Sequence, residues 1–228
     1  MTPEKSARAW FIAGTDTGIG KTFATCALLH AARSRGKTAL GMKPVAAGAL
    51  RIGGEWINED AAALRAAGSF DPGLALLNPC CLRDPIAPHI AAAEEGVHIA
   101  PAPLLAACDA LRRQAEVVLV EGVGGFRVPF AADYDSADLA VDLGLPVILV
   151  VGMRLGCLSH ALLTVEAIAH RGLPLAGWIA NHVDPAMLRP EQNVAALEER
   201  IPAPLLGRLP WRADGDPQQA ASALRLPD

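Results

Sequence analysis

The residues from Gly14 to Thr22, Gly-Thr-Asp-Thr-Gly-Ile-Gly-Lys-Thr, limit the possible folds of this chain more than any other segment. A short apolar run at 10–13 precedes them, and a helical pattern begins directly after them. A strand, a glycine-containing turn, Lys-Thr and a helix, in that order, form a phosphate-binding loop. The free N–H groups of the turn and of the helix start converge on a polyphosphate. The segment therefore predicts an α/β fold that binds a nucleoside triphosphate.

Two side chains of this loop carry the chemistry of the predicted site. Lys21 is expected to neutralise the outer phosphates, and the hydroxyl group of Thr22 is expected to ligate a magnesium ion. The usual loop has a glycine where this chain has Thr15, and Gly14 lies one residue earlier. The residues of the loop that we expect to contact the nucleotide are Gly14, Thr15, Asp16, Thr17, Gly18, Ile19, Gly20, Lys21, Thr22 and Phe23.

Composition and charge argue against several other functions. The 228 residues carry a net charge of −4, with 20 Lys and Arg, no basic run and only 4% aromatic residues. Nucleic-acid binding needs clustered cations or stacking aromatics, so we expect no nucleic-acid partner. No apolar run reaches the roughly 18 residues of a membrane span, and no signal region is visible, so we expect no membrane association. The five cysteines lack CxxC spacing and are expected to be reduced thiols of a cytoplasmic protein.

Short apolar runs alternate with helical segments along the chain. Strands are predicted at 10–13, 38–42, 117–120, 146–151, 175–180 and 205–206, and helices at 22–35, 59–67, 103–114, 136–143, 159–170 and 189–200. The central runs are almost continuously Val, Leu and Ile, as in parallel strands covered on both faces. The pattern predicts one α/β domain over 1–228, a mostly parallel sheet with helices on both faces. We expect long connections in the proline-rich segment 72–103 and a loosely ordered tail after about residue 214.

Ligands of an open parallel sheet bind at the carboxyl ends of the strands. Lys43 follows the second apolar run, where its ammonium group can reach the phosphate site, although a surface lysine is the alternative. Glu121 ends the central run, where an acid commonly helps to hold magnesium or, more simply, caps a loop. Asp60 begins a predicted helix, so a metal ligand and a helix N-cap explain it equally well.

The ends of two further predicted strands carry residues that can bind parts of a ligand. Asn181 follows the run at 175–180, and its amide can pair with the edge of a nucleobase. With His182 it is similar to the Asn-Lys-x-Asp signature of GTPases, with His in place of Lys, so the base preference stays open. Arg154 and the N–H groups of the turn after 146–151 make a carboxylate site, unless this is an ordinary strand-to-helix turn.

Taken together, these segments resemble the dethiobiotin synthetase family from about residue 11 to residue 211. The matching motifs of this chain are Gly-Thr-Asp-Thr-x-x-Gly-Lys-Thr (14–22), Lys-Pro-Val-Ala (43–46), Asp60, Pro-His (88–89), Glu-Gly-x-Gly-Gly (121–125), Leu-Gly-Cys (155–157), Ala-Gly-Trp-Ile-Ala-Asn (176–181), Ile-Pro-Ala-Pro-Leu-Leu-Gly (201–207) and Pro-Trp (210–211). The family has the same shifted glycine in its loop. The resemblance implies a P-loop NTPase fold and a reaction that joins 7,8-diaminononanoate and CO2 at the expense of ATP to give dethiobiotin, ADP and phosphate.

The resemblance also implies a role for each matching residue. The ligands of Mg²⁺ would be Thr22, Asp60 and Glu121. The catalytic residues would be Lys43, Lys21 and Thr17. Besides the loop, the nucleotide would contact Asp60, Glu121, Gly122, Val123, Gly124, Asn181, His182, Pro210, Trp211 and Arg212. The substrate would contact Thr17, Lys43, Ala47, Gly124, Arg154, Leu155, Gly156 and Cys157, with 154–157 supplied by the second subunit of a homodimer.

Four residues depart from the family pattern. Gly18 stands where several relatives have Glu, and Ala47 and Ala87 stand where relatives often have Ser, so two hydroxyl contacts to the substrate would be missing. Arg154 replaces a frequent Lys, which keeps the charge but changes its geometry. These departures concern substrate affinity more than the reaction itself.

One alternative is a switch or partitioning ATPase of the same P-loop group. Such proteins usually carry a second lysine early in the loop, where this chain has Asp16. The choice of ATP over CTP or GTP also stays open at this point. The acid that contacts the ribose in some relatives has two candidate counterparts in this chain, Asp214 and Asp216.

Overall fold

A computed structural model of the protein describes residues 7–211 and 215–227. The strands in these ranges are β1 (Arg8–Gly14), β2 (Ala39–Met42), β3 (Val45–Ala47), β4 (Ala49–Ile52), β5 (Glu55–Asn58), β6 (Cys80–Leu82), β7 (Val117–Glu121), β8 (Val147–Met153), β9 (Leu175–His182) and β10 (Leu205–Leu209). The helices are α1 (Lys21–Arg33), α2 (Glu59–Ala67), α3 (Leu74–Leu77), α4 (Pro88–Glu95), α5 (Pro101–Arg112), α6 (Ser136–Leu143), α7 (Cys157–His170), α8 (Pro190–Glu198) and α9 (Pro217–Ala220), and a 3₁₀ turn covers Ala221–Ala223.

Six strands form a central parallel sheet in the order β10-β9-β8-β1-β7-β2. Successive side chains of a strand point to opposite faces, so a strand in the middle of the sheet packs on both sides. In β8, Val147, Leu149 and Val151 pack on one face, and Ile148 and Val150 pack on the other. Because β1 lies between β7 and β8, the loop that follows β1 leaves the sheet near its centre.

Helices cover both faces of this sheet. On one face, Leu111 of α5 and Val194 of α8 belong to the buried cluster, and on the other face Leu28 of α1 and Leu64 of α2 do so. Burying one such aliphatic side chain contributes about 1.5–3 kcal/mol. The predicted α/β fold, with its parallel sheet and helices on both faces, is confirmed. Among the helices described, none is both long enough and apolar enough to cross a membrane.

The expectation of long connections in the proline-rich segment 72–103 is wrong. This segment contains α3, β6, α4 and the start of α5. Pro88 and Pro101 occupy the first position of α4 and α5, where the missing N–H group of proline costs nothing and its fixed φ favours the helix. The short strands β3 and β6 pair in parallel, and β4 and β5 form an antiparallel hairpin. These elements are too short to produce a periodic pattern in the sequence.

The described part of the tail, residues 215–227, packs against the domain instead of lying loosely ordered. Leu224 and Ala221 are buried, and Leu224 belongs to the apolar cluster that includes α1. Arg225 N donates to Leu206 O at 3.0 Å, and Gly207 forms an antiparallel bridge with Leu224. A Cβ at Gly207 would lie 2.0 Å from Ala223 O, so this close approach requires glycine.

Candidate active site

The loop between β1 and α1 has the backbone that its glycines suggest. Gly18 and Gly20 adopt φ values of 71° and 72°, a left-handed conformation that glycine reaches without a Cβ penalty. Gly20 is the N-cap of α1, and no described side chain caps the helix there. The first N–H groups of α1 are therefore available to an anion, as the sequence predicts.

Residues at the ends of neighbouring strands hold this loop in place. Asn181, in β9, donates its Nδ2 to Ile19 O at 2.7 Å. A Cβ at Gly152, near the end of β8, would lie 2.5 Å from Ile19 Cγ2, and a Cβ at Gly14 would lie 3.3 Å from Gly124 O. The loop thus fits only because small residues follow or end the adjacent strands.

Other residues of this region predicted to contact the nucleotide make hydrogen bonds or packing contacts within the protein. Thr15 Oγ1 accepts a hydrogen bond from Gly152 N at 3.3 Å. Gly122 N donates to Ile12 O at 3.0 Å, which extends the pairing of β1 with β7. Val123 packs against the apolar cluster that surrounds β3 and α4. The structure therefore places Val123 in a packing role, and its predicted contact with the nucleotide stays a prediction.

Three oxygen-bearing side chains from separate elements meet at the start of α1. Thr22 Oγ1 lies 2.7 Å from Asp60 Oδ1 in α2 and 2.8 Å from Glu121 Oε1 at the end of β7. Glu121 is fully buried, and its Oε2 has no hydrogen-bond partner in the described structure. The predicted metal ligands are therefore brought together. This site has two carboxylates and one hydroxyl group. Within residues 7–211 and 215–227, no group of three or more His, Cys, Asp and Glu side chains is placed to hold a metal.

Lys43 is buried beside these carboxylates. Its Nζ lies 2.7 Å from Glu121 Oε1, 2.9 Å from Asp60 Oδ2 and 3.1 Å from Gly122 O, and its side chain is 3% exposed. Burial acts to lower the pKa of Lys43, but the two carboxylates outweigh it and raise the pKa. Burial likewise acts to raise the pKa of Asp60, which Lys43 and Thr22 hold below its usual range. The two carboxylates therefore favour the charged form of Lys43 at the predicted site.

The second lysine of the site, Lys21, is buried in a different electrostatic environment. Its Nζ donates to Gly124 O at 2.9 Å. Burial, followed by the positive charge of Lys43, lowers the pKa of Lys21 to about 8. A triphosphate would favour the charged form of this lysine, because opposite charge raises the pKa of an amine. Lys21 is thus poised to gain a proton when an anion binds.

A pocket of about 240 Å³ opens beside the loop, on the side of β9. Its lining residues are Gly18, Gly20, Phe23, Asn181, His182, Val183, Pro210, Trp211 and Gly215. The residues predicted to frame the base therefore line one pocket, apart from Arg212, which lies outside the described residues. Of the two candidate ribose acids, Asp214 also lies outside them, and Asp216 accepts a hydrogen bond from Gln218 N as the N-cap of α9.

The segment 154–157, predicted to receive the substrate's carboxylate, forms the turn into α7. Arg154 makes an ion pair with Asp16 of the phosphate-binding loop in the same chain. Leu155 is 95% exposed, and Gly156 caps α7 with a φ of 95°. Cys157 is buried, and burial raises the pKa of its thiol. The Arg154–Asp16 pair connects this segment to the loop, and the predicted contacts of 154–157 with substrate stay predictions.

The remaining predicted substrate contacts are Thr17, Gly124 and Ala47. Thr17 Oγ1 lies 3.3 Å from the position that a Cβ of Gly124 would occupy, so these two residues are neighbours. Ala47 lies on β3, a few residues after Lys43, and its carbonyl accepts a hydrogen bond from Asn58 Nδ2 at 3.4 Å.

Sequence reasoning missed two buried asparagines, Asn58 and Asn78. Asn58 caps α2 by accepting from Asp60 N at 3.0 Å, and its Nδ2 donates to Gly48 O at 2.7 Å. Its position directly before a helical pattern is a signal for an N-cap that the sequence does contain. Asn78 Nδ2 donates to Lys43 O at 2.6 Å, across 35 residues. Nothing local in the sequence indicates that contact.

Comparisons with known proteins agree with this geometry. Residues 8–219 match the sequence model of an AAA domain family. The ATP-dependent dethiobiotin synthetase BioD of Aromatoleum aromaticum (strain DSM 19018 / LMG 30748 / EbN1) is 72% identical over 96% of this chain and 98% of the relative. The same-named protein of Xanthomonas oryzae pv. oryzae (strain PXO99A) is 54% identical over the same shares of the two chains.

Solved structures share the fold at much lower identity. The septum site-determining protein MinD of Pyrococcus horikoshii OT3 is 19% identical, with a TM-score of 0.56 over 90% of this chain and 81% of that one. A ParA family ATPase of Chlorobium tepidum TLS is 15% identical, with a TM-score of 0.56 over 96% and 89%. At this identity the likeness shows only a common α/β fold. Since relatives above 50% identity span nearly the whole chain, this protein belongs to the ATP-dependent dethiobiotin synthetase family.

Proposed function

We propose that this chain carboxylates 7,8-diaminononanoate with CO2 and closes the ring of dethiobiotin at the expense of ATP, in the synthesis of biotin. The observation that carries the proposal is the convergence of Lys43, Thr22, Asp60 and Glu121 beside a phosphate-binding loop, in a chain 72% identical to a dethiobiotin synthetase. One amine becomes a carbamate, whose oxygen attacks the γ-phosphorus of ATP and releases ADP. The other amine then attacks the carbonyl carbon of the mixed anhydride and releases phosphate.

Mg²⁺ fits the oxygen donors at the start of α1. Thr22 Oγ1 lies within hydrogen-bond distance of the carboxylates of both Asp60 and Glu121, and Glu121 Oε2 is buried without a partner among the described residues. Mg²⁺ prefers oxygen ligands and is usually held by one or two carboxylates together with phosphates and water. We propose that these three residues hold it, directly or through water. When bound, the ion would neutralise charge on the phosphates.

Two buried lysines would stabilise the phosphoryl group during its transfer. Phosphoryl transfer spreads negative charge over three equatorial oxygens, so fixed cations lower its barrier more than a covalent nucleophile would. The carboxylates beside Lys43 favour its charged form, and an approaching phosphate would favour the charged form of Lys21. We assign charge stabilisation to both, and the positioning of substrate near the reacting centre to Thr17.

The orientation of Asn181 supports ATP as the nucleotide. Its Nδ2 is engaged by Ile19 O, which leaves Oδ1 as the acceptor of this amide. Adenine presents an exocyclic amino donor at the position where guanine presents a keto oxygen. Oδ1 can accept from the amino group of adenine, and on the same ground from that of cytosine, while the second N–H of Nδ2 stays available as a donor. The pocket that Asn181 shares with Pro210 and Trp211 is where we place the base.

We further propose a homodimer with the diamine site at the subunit interface. Leu155, just before α7, and Leu163, in the middle of α7, are exposed apolar residues, and such residues favour a protein contact. Segment 154–157 of one subunit would then lie near the substrate of the other. In this arrangement Arg154 holds Asp16 of its own loop and helps to receive the substrate's carboxylate at the same time.

The remaining expectations are also proposals. We propose that residues 1–228 form one domain, that the protein acts in the cytoplasm, and that it needs neither nucleic acid nor membrane. Limited proteolysis tests the first of these proposals, because a single domain has no exposed interdomain linker to be cut first.

The activity is tested by phosphate release from magnesium ATP and bicarbonate, with and without 7,8-diaminononanoate. We expect release only in the presence of the diamine. The competing function is a switch ATPase of the MinD and ParA type, which is supported only by a distant similarity of fold. Phosphate release at the same rate with and without the diamine would favour the switch ATPase and contradict our proposal.

A further inference from the structure

The backbone of Lys43 is held from outside the central sheet. β2 is an edge strand, and its ladder with β7 ends at the pair Met42 and Val120, one residue before Lys43. Beyond that point, Lys43 N donates to Leu77 O at 2.7 Å, and Lys43 O accepts from Asn78 Nδ2 at 2.6 Å. Leu77 and Asn78, at the end of α3, thus supply the hydrogen bonds to the backbone of Lys43 beyond the end of the sheet ladder.

Asn78 is the residue that joins this end of α3 to the next strand. It is 7% exposed, its backbone N donates to Leu74 O at 2.7 Å, and its Nδ2 also donates to Cys80 O at 3.2 Å. The carboxamide therefore bridges two carbonyl groups, those of Lys43 and Cys80. A buried carbonyl that loses its donor is left unsatisfied, so the two bonds of this carboxamide favour the observed positions of both carbonyls.

We propose that Asn78 is a positioning residue for Lys43 and that it aims the ammonium group of Lys43 by fixing the carbonyl of the same residue. This inference rests on the role that we propose for Lys43. A shift of the Lys43 backbone moves the anchor of its side chain, and so changes the orientation from which Nζ reaches the reacting centre. A misplacement of about 1 Å at a reacting centre costs on the order of 100-fold in rate.

The backbone contact matters most when ligands are bound. In the structure, Nζ of Lys43 is also held by Glu121 and Asp60, which we propose as magnesium ligands. Lys43 must then direct its charge towards the transferring phosphoryl group, and its hold on the carboxylates weakens. The bond from Asn78 is independent of that change, because it acts on the backbone.

The test replaces Asn78 with Asp and with Ala. Asn78→Asp has the same shape, but at neutral pH it carries a carboxylate without a donor. We expect kcat to fall 10- to 100-fold while the Kd of ATP changes less than about threefold. As the pH falls, the protonated Asp regains one O–H donor, so its kcat relative to that of the natural protein should rise. Asn78→Ala cannot regain a donor and should lose kcat without this recovery.

Asn193 offers the matched control. Its Nδ2 donates to Arg189 O at 2.9 Å in α8, near the surface, so Asn193→Asp and Asn193→Ala also remove an asparagine-to-carbonyl bond. We expect both controls to keep kcat. Thermal unfolding and ATP binding show which variants fold, and Asn78→Ala carries the test if Asn78→Asp does not fold.

Two results would overturn this inference alone. One is a folded Asn78 variant with normal kcat beside an inactive Lys43→Ala, which would leave the proposed function intact. The other is a loss of ATP binding equal to the loss of kcat, which would indicate a merely structural role. Full turnover in Lys43→Ala would remove the proposed role of Lys43 and this inference with it.

Discussion

Lys43 and Glu121 form a buried ion pair, with Nζ of the lysine 2.7 Å from Oε1 of the glutamate and both side chains almost inaccessible to water. Removing one partner of such a pair leaves an uncompensated charge in the interior. The pair lies at the carboxyl ends of two adjacent strands, β2 and β7, where a parallel sheet binds its ligands. A fixed cation beside the carboxylate oxygens that we propose as metal ligands is suited to phosphoryl transfer.

We predict that Lys43→Ala lowers turnover by about 100-fold or more while ATP binding is largely retained, because a charge stabiliser acts mainly in the transition state. The same variant should lose about 3–5 kcal/mol of unfolding free energy, since Glu121 is left as an unpaired buried charge. Added Mg²⁺ should restore part of that stability. Steady-state kinetics and denaturant unfolding, each with and without Mg²⁺, measure these effects.

Lys37 provides the control for that prediction. Its Nζ lies 2.8 Å from Glu116 Oε1, a similar distance, but both side chains are about half exposed. Exposed ion pairs contribute about 0–1 kcal/mol, so Lys37→Ala should change neither turnover nor the response to Mg²⁺. Near-normal turnover in Lys43→Ala would contradict the role of Lys43.

A second prediction concerns the hydroxyl group of Thr22. Thr22→Val keeps the shape of the side chain and removes the oxygen that lies beside Asp60 and Glu121. We expect the Mg²⁺ concentration for half-maximal activity to rise about 10-fold or more, as when a metal ligand or its support is lost. Thr25→Val, one turn further along α1, removes a buried hydroxyl that bonds Lys21 O and should leave the Mg²⁺ requirement unchanged. Equal Mg²⁺ requirements in both variants would refute the metal site.

A third prediction concerns Gly20. In Gly20→Ala the new Cβ would lie 2.3 Å from Asn181 Nδ2, at a residue whose φ is 72°. Gly36→Ala has a similar φ of 74°, but nothing lies within 4 Å of its new Cβ. Both variants should lose about 1–2 kcal/mol of stability from the left-handed backbone. Only Gly20→Ala should also weaken ATP binding, measured by calorimetry; equal affinities would contradict the described loop.

The fourth prediction follows from Lys21, whose pKa burial lowers to about 8. Unfolding restores the ordinary pKa of 10.5, so between pH 8 and 10.5 the unfolded chain binds more protons at Lys21 than the folded protein does. The contribution of Lys21 to the free energy of unfolding therefore increases as the pH rises through that window. Lys43 has the opposite sign, because its pKa is raised in the folded protein. Its contribution is present below 10.5 and is lost as the pH rises above that value.

For ligand binding, the low pKa of Lys21 predicts proton uptake. Above pH 8 part of Lys21 is neutral, and a bound triphosphate raises its pKa again, so ATP affinity should fall as the pH rises from 8 to 9. Calorimetry in buffers of different ionisation enthalpy measures the protons taken up. In Lys21→Arg the guanidinium group stays charged, and the uptake should disappear. Identical uptake in both proteins would exclude Lys21 as its source.

Much of this site was predictable because strong local patterns coincide with the ends of buried strands. The loop at 14–22 and the apolar runs before Lys43, Glu121 and Asn181 all lie where the sequence places them. Asp60 could not be assigned from sequence, since an acid in the first turn of a helix has two ordinary explanations. In the structure the helix is capped by its neighbour Asn58, which leaves the carboxylate of Asp60 to Thr22 and Lys43.

The contacts that escaped prediction are long-range and depend on short elements. The bond from Asn78 to Lys43 depends on α3, four residues long, packing beside the end of β2. In the sequence, Pro88 and Pro101 suggest interruptions of secondary structure. In the folded protein each of them occupies the first position of a helix. Such pairings arise from how the chain folds back on itself, and periodicity along the sequence does not encode them.

The most direct test of the central claim follows labelled carbon from bicarbonate into the product. The protein is incubated with ATP, Mg²⁺, 7,8-diaminononanoate and ¹³C-bicarbonate, and the product is analysed by mass spectrometry beside a phosphate assay. We predict dethiobiotin that carries a single labelled carbon, formed in equal amount to the phosphate released, and neither product from Lys43→Ala at comparable rates. Phosphate release without labelled dethiobiotin would contradict the account.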